Sequence, residues 1–270
     1  MSDRVVYTLD GGVADVRLNR PDKINAMDLA MFRALVEVGE EIKANPAVRA
    51  VVLSGEGRGF CAGLDFGIFQ AIAGQDGAAV SGESAALAPP TGGRITNTGQ
   101  QAVYGWTEMP APVVAAVHGP ALGAGCQLAL GADIRIVAPD ATLSVLEIRW
   151  GLTPDMTGTQ MLPRLVGLDV AKELTFTGRT VSGEEAVRLG LATRVSETPR
   201  DDALSLAQEI AAKSPHAVRG AKHLLNLAGQ VSLAEGFAEE FRTIAGLMGS
   251  ANQLEAVTAY FEQRAPVFTD

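Results

Sequence analysis

His118-Gly119-Pro120-Ala121-Leu122-Gly123-Ala124-Gly125-Cys126-Gln127-Leu128 is the stretch whose reading decides the fold. It follows a short all-apolar run, Val113 to Val117, of the kind expected for a strand covered on both faces. It opens a segment of good helix formers, Gln127 to Leu130. Glycines at such a junction let a ligand approach the main chain closely. The first N–H groups of a helix have no internal partner and carry partial positive charge, so they suit an anion or a developing oxyanion. No Gly-Lys-Ser/Thr closes the stretch, so it is not a phosphate P-loop, and it fits a dinucleotide fingerprint poorly. A glycine-lined contact between helix and strand would read the same way.

Upstream stands a second turn of this kind, Gly57-Arg58-Gly59-Phe60-Cys61-Ala62-Gly63-Leu64-Asp65-Phe66, after the apolar run Ala50 to Leu53. Alone it is no more than a tight turn after a strand. Two such turns, each behind a buried strand, are more specific than either. Ile134 to Ala138 repeats the apolar pattern, and helical segments separate these runs. That alternation predicts βαβ crossovers and an α/β fold.

Working outward, Val5 to Leu9 reads as a strand, Asp10-Gly11-Gly12 as a turn, and Val13 to Leu18 as an alternating strand with one buried face. From Asp28 to Lys43, Phe32, Leu35, Val36 and Ile42 fall at helical spacing, with Asp28 as N-cap. The stretch from Ala73 to Thr98 is rich in Gly, Ala, Ser and Pro and reads as a long loop over a binding site. Helices are expected over 201–213, 215–227, 233–248 and 252–264. The division is therefore an α/β core over residues 1–200 and a helical region over 201–270.

The 270 residues are 47% hydrophobic and 20% charged, with a formal charge of −9 and a pI near 4.9. Phosphate backbones demand clustered Lys and Arg, so this balance argues against a nucleic-acid partner. Cys61 and Cys126 are too few for a disulfide framework or a zinc site and read as small core residues. No signal-peptide pattern opens the chain, and no run of about 18 apolar residues appears, so no membrane association and a cytoplasmic location are expected. His118, His216 and His223 form no metal-ligand spacing and no Ser-His-Asp arrangement, so no metal is expected.

Four segments together resemble the crotonase family, the enoyl-CoA hydratase/isomerase superfamily. They are Leu18-Asn19-Arg20-Pro21 to Asn25-Ala26-Met27, Phe60 to Asp65, Val117 to Leu128, and Gly178-Arg179 to Gly190-Leu191. The resemblance spans nearly the whole chain. It implies a crotonase-like ββα spiral core with a C-terminal helical region, and a trimer or dimer of trimers with the tail at the interface. It also implies an acyl-CoA thioester as partner, with coenzyme A carried by the substrate and no separate cofactor. The family's oxyanion-hole donors would fall on the N–H groups of Ala62 and Ala124. Lys23, Ile24, Ala26, Ala62, Gly63, Leu64 and Asp65 would meet the coenzyme, and Phe66, Leu122, Gln127 and Trp150 would line the acyl pocket. Near the C-terminus Glu262-Gln263-Arg264 departs from the Glu-Lys-Arg the family often carries, which leaves a phosphate contact there unsupported.

The proton-transfer groups decide the reaction. Hydratases of this family hold one water between two glutamates, at positions that are Gln127 and Glu147 here. An amide bonds water but takes no proton from it at neutral pH. Asp155 lies eight residues after Glu147, a spacing the resemblance connects with dienoyl-CoA isomerases, although these also carry an Asp at the Gln127 position. The expectation is an enzyme acting on an unsaturated acyl-CoA, with Glu147 as acid/base, Asp155 assisting, and double-bond isomerisation ahead of hydration. Asp155 as a nucleophile, and a noncatalytic acyl-CoA-binding protein, are the other readings. Glu147 paired with Arg149, and Asp155 as a simple turn residue after Pro154, are the structural alternatives.

Overall fold

The chain is described by a computed structural model over residues 3–68 and 93–270. Strands β1 (Val5–Asp10) and β2 (Val13–Leu18) form the expected hairpin, with Val5 opposite Leu18 and Asp10 opposite Val13. Gly11 and Gly12 both take positive φ at its tip, where a Cβ would be strained. The strands that follow are β3 (Ala50–Gly55), β4 (Val113–Val117), β5 (Pro120–Leu122), β6 (Ile134–Val137), β7 (Thr142–Ser144), β8 (Val181–Ser182) and β9 (Arg194–Val195). A six-stranded sheet runs β1-β2-β3-β4-β6-β9, and a smaller one runs β5-β7-β8. Every pairing from β2 to β9 in the large sheet is parallel. This accounts for the unbroken apolar runs: β3 and β4 are buried along their whole length.

Helix α1 (Leu29–Ala44) starts on Asp28, whose side chain accepts the Met31 N–H at 2.8 Å. Helix α2 (Thr98–Thr107) starts on a reciprocal cap between Asn97 and Gln100, so Thr98 is helical rather than the end of a loop. Residues 73–92 of the expected loop lie outside the described residues. Then come α3 (Ala124–Leu130), α4 (Gly158–Val166), α5 (Leu168–Thr177), α6 (Gly183–Leu189) and α7 (Pro199–Ala211). One face of the sheet packs on α1, α2 and α3 in the main core. The other face, Val52, Val114 and Ile136 among it, is covered by Ala203, Ala207 and Ala211 of α7. The first helix after the α/β alternation thus serves as a layer of the sheet, because its small residues recur at helical spacing and permit close approach.

Helices α8 (Pro215–Leu227), α9 (Leu233–Leu247) and α10 (Ala251–Phe261) complete the tail. Lys222 anchors α8 inward through Asp133 at 2.7 Å and the carbonyls of Trp106 and Ala111. By contrast α9 and α10 leave Leu233, Phe237, Phe241, Ile244, Leu254, Tyr260 and Phe261 exposed. Among the described residues no helix is long and apolar enough to cross a membrane, and no cluster of ligands suits a metal ion.

Candidate active site

The two glycine turns lie side by side. The N–H of Phe60 donates to His118 O, that of Cys61 to Pro120 O, and that of Leu122 back to Cys61 O, at 2.8–3.0 Å. Gly63 has φ +95°, and a Cβ there would lie 2.7 Å from Leu122 O. Gly125 leaves still less room, since its Cβ would lie 2.4 Å from Cys61 O. The glycines are what let the turns touch.

The main-chain hydrogen bonds then sort the donors. Ala124 is the first residue of α3, behind Gly123, and its N–H has no helical acceptor. The Ala62 N–H, expected as its partner, donates to Ile24 O at 2.8 Å and is therefore committed to the fold. That expectation is corrected by two residues. Met27 pairs with the strand segment around Leu64 through Met27 N–H to Gly63 O and Asp65 N–H to Met27 O. In such a pairing the intervening N–H points the other way. Among the described residues the Leu64 N–H has no hydrogen-bond acceptor, and Leu64 and Ala124 line one cavity. Period-2 alternation would have signalled this, had the segment from Cys61 to Asp65 been read as extended rather than as a loop.

That cavity has a volume of about 470 Å³. Of the residues singled out in the sequence, Ala62, Gly63, Leu64, Phe66, Leu122, Ala124, Glu147, Trp150 and Asp155 line it. Leu29, Phe32, Leu146 and Leu152 add apolar wall that sequence reasoning missed, since each reads as ordinary core, and Met156, which reads as core or pocket lining, joins them. Phe66 and Trp150 meet edge to face at 5.7 Å between ring centroids. Lys23, Ile24, Ala26 and Asp65 are absent from this lining. Lys23 is exposed at the end of a single 3-10 turn, Pro21–Lys23, and Ile24 follows with φ +49°. The Ala26 carbonyl and the Asp65 carboxylate both accept from Arg20. Asp65 is held below the usual carboxylate range, first by the Gly67 N–H and then by Arg20.

Glu147 begins the 3-10 turn Glu147–Trp150 just after β7. Its Oε1 accepts from Gln127 Nε2 at 2.7 Å. Its Oε2 is buried without a hydrogen-bond partner. Burial pushes its carboxyl above the ordinary range, and the nearby Asp155 adds to this. No ion pair joins it to Arg149 among the described residues. Asp155 is exposed at the rim yet crowded by the cleft wall, and that desolvation also raises its carboxyl. Gln127 was expected in the acyl pocket. It is instead fully buried behind Glu147, its Oε1 accepting from the N–H groups of Met156 and Gly158 at 2.9 Å each. Both ends of its amide are bonded to protein groups, and it is no part of the cavity wall. Cys61 and Cys126 are free and buried, their thiols pushed up to about 12 by desolvation, and so inert near neutrality.

The parallel core, helical tail and paired glycine turns define a crotonase-like α/β protein, and solved structures of that fold superpose over almost all of it. Enoyl-CoA hydratase from Bacillus anthracis is 32% identical with a TM-score of 0.85, covering 98% of both chains. Enoyl-CoA hydratase from Mycobacterium smegmatis is 32% identical with a TM-score of 0.83, covering 98% of this chain and 99% of that one. The chain belongs to the enoyl-CoA hydratase/isomerase family, whose model matches residues 8–270. Its relatives divide by reaction. The short-chain-enoyl-CoA hydratase of Clostridium acetobutylicum is 32% identical over 97% of this chain and 96% of its own length. The peroxisomal Delta(3,5)-Delta(2,4)-dienoyl-CoA isomerase of Arabidopsis thaliana is 32% identical over 96% and 93%.

Proposed function

We propose that this protein isomerises a double bond in an unsaturated acyl-CoA. The observation that carries the reading is the asymmetry of Glu147, which has one oxygen tied to an amide and the other buried and bare beside a cleft with two unused main-chain N–H groups. The thioester oxygen sits between the Leu64 and Ala124 N–H groups. Glu147 Oε2 takes a proton from the acyl chain, and the charge spreads onto that oxygen. Preorganised donors facing developing charge are each worth roughly 2.7–4 kcal/mol in the transition state. Asp155, whose carboxyl is raised by desolvation, delivers one to a carbon further along the chain. The conjugated product leaves with the proton count unchanged.

Hydration of a 2-enoyl-CoA is the second reading, favoured by the Clostridium relative. It needs two groups sharing a water, and Gln127 offers Glu147 a donor where a second carboxylate would stand. The exposed apolar faces of α9 and α10 support a homotrimer or dimer of trimers, and a cytoplasmic enzyme suits the absence of a membrane-spanning helix among the described residues. Ultraviolet absorbance separates the reactions. A 3,5-dienoyl-CoA should gain conjugated dienoyl absorbance on mixing with the protein. Loss of the conjugated signal of a 2-enoyl-CoA alone would establish hydration instead, and silence with both, alongside tight CoA binding, would leave a binding protein.

A further inference from the structure

Gln127 is the most completely bonded side chain of the site, and none of its bonds goes to the cavity. Its Oε1 accepts two main-chain N–H groups, from Met156 and Gly158. Only an oxygen satisfies two donors, so this fixes which way the amide faces. The Nε2 end is thereby turned on Glu147 Oε1 at 2.7 Å. The surroundings are shaped to this arrangement. A Cβ on Gly158 would lie 2.7 Å from Gln127 Oε1, and one on Gly123 would lie 3.4 Å from Glu147 Oε1. Three pieces of chain converge here: α3, which carries the Ala124 donor, the turn that carries Glu147, and the segment after Asp155.

We infer that Gln127 is a positioning residue that sets both the aim and the ionisation of Glu147, leaving one oxygen bare for proton transfer, and that it fixes the Asp155 segment in the same act. This rests on Glu147 being the proton-transfer group. The ionisable group acting on Glu147 is Asp155, while Glu147 in turn helps to raise the Cys126 thiol of α3, which stays neutral. The Gln127 N–H favours the carboxylate against the desolvation that opposes it. A glutamate in its place would keep the two main-chain bonds but set oxygen against oxygen, so that the pair must share a proton.

Side-chain NMR of uniformly ¹³C,¹⁵N-labelled protein tests this without assuming any turnover. In the unmodified protein the Gln127 side-chain ¹⁵N resonance should move with the same midpoint as the Glu147 carboxyl carbon. In Gln127→Glu that carbon should titrate at least about one pH unit higher, or in two steps. Gln127→Met, which removes the donor without adding charge, should move it the same way by less. The acidic limb of kcat/KM should follow each shift. A Gln127 resonance blind to Glu147 in the unmodified protein, or midpoints within a few tenths of a unit in whichever variant folds, would overturn the inference. An unmodified protein inert towards both acyl-CoAs would instead sink the proposed reaction, with the titration still deciding the role of Gln127.

Discussion

Replacing a single main-chain N–H by an ester oxygen tests where the oxyanion is held. Leucic acid at position 64 or lactic acid at position 62, introduced by nonsense suppression, keeps each side chain and deletes one donor. The structure assigns the two deletions different consequences. At 62 the lost bond is the one to Ile24 O, an ordinary fold contact at 2.8 Å with a net worth of about 0.5–1.5 kcal/mol. At 64 no protein bond is lost from the N–H itself, so the cost falls on the transition state, at about 10²–10³-fold in kcat. An ester also weakens the carbonyl before it as an acceptor. That touches Gly63 O, which receives Met27 N–H, and Cys61 O, which receives Leu122 N–H. Both variants therefore unfold somewhat earlier in urea, and stability alone does not tell them apart. Single-turnover kinetics does: the ester at 64 should lose at least about 100-fold and the ester at 62 less than about 5-fold. A large loss at 62 with little at 64 would refute the hydrogen-bond reasoning and restore Ala62 as the donor. Equal losses tracking equal destabilisation would reduce both to structural effects.

Two further expectations follow from the same geometry. Glu147→Gln should lower turnover by at least about 100-fold, the usual scale for losing an acid/base group, and it should also stabilise the protein. The carboxyl of Glu147 lies above its ordinary range because it is buried, so its stabilising contribution is present at low pH and is lost as pH rises through the folded value. The variant should therefore melt higher than the unmodified protein at neutral pH, and the gap should close below the ordinary glutamate range; a gap independent of pH would contradict this. On α9, Phe241→Glu places a charge on an exposed apolar face. Sedimentation should show smaller assemblies for the variant, and an unchanged mass for a trimeric protein would take this face out of the interface.

The fold was legible because its signals are local and redundant. All-apolar runs at Ala50–Leu53 and Val113–Val117 are what strands covered on both faces look like, and they lie at the centre of the sheet. The Asp28 cap was equally plain, since a short acceptor before an amphipathic run has few other uses. The site was legible in its residue types and misjudged in its directions. Phe60 to Asp65 showed that a main chain comes close to something, but which N–H stays free depends on what Ile24 and Met27 take, and those partners lie more than 30 positions away. Gln127 failed for the same reason. A polar residue after a glycine turn looks like pocket lining until the main-chain donors of Met156 and Gly158, about 30 residues on, are seen to face it.

The proposed chemistry divides between backbone and side chains. The N–H groups of Leu64 and Ala124 depend on φ at Gly63 and on the start of α3, so they survive most changes of side chain, and in the proposed reaction they would serve any thioester that develops charge on its oxygen. The opposite wall has no such tolerance. Burial raises the carboxyl there above its ordinary range and leaves one of its oxygens bare, and each neighbour it bonds changes which protonation state is held. Exchanging Gln127 for glutamate alters one atom type in a partly buried contact, yet it adds a second proton carrier 2.7 Å from the first. That single exchange should therefore raise the midpoint at which Glu147 titrates and move the acidic limb of kcat/KM with it, because the two carboxyls in direct contact must share a proton. The same substitution would leave the oxyanion donors where they are, so the thioester would still bind while the fate of the proton changed.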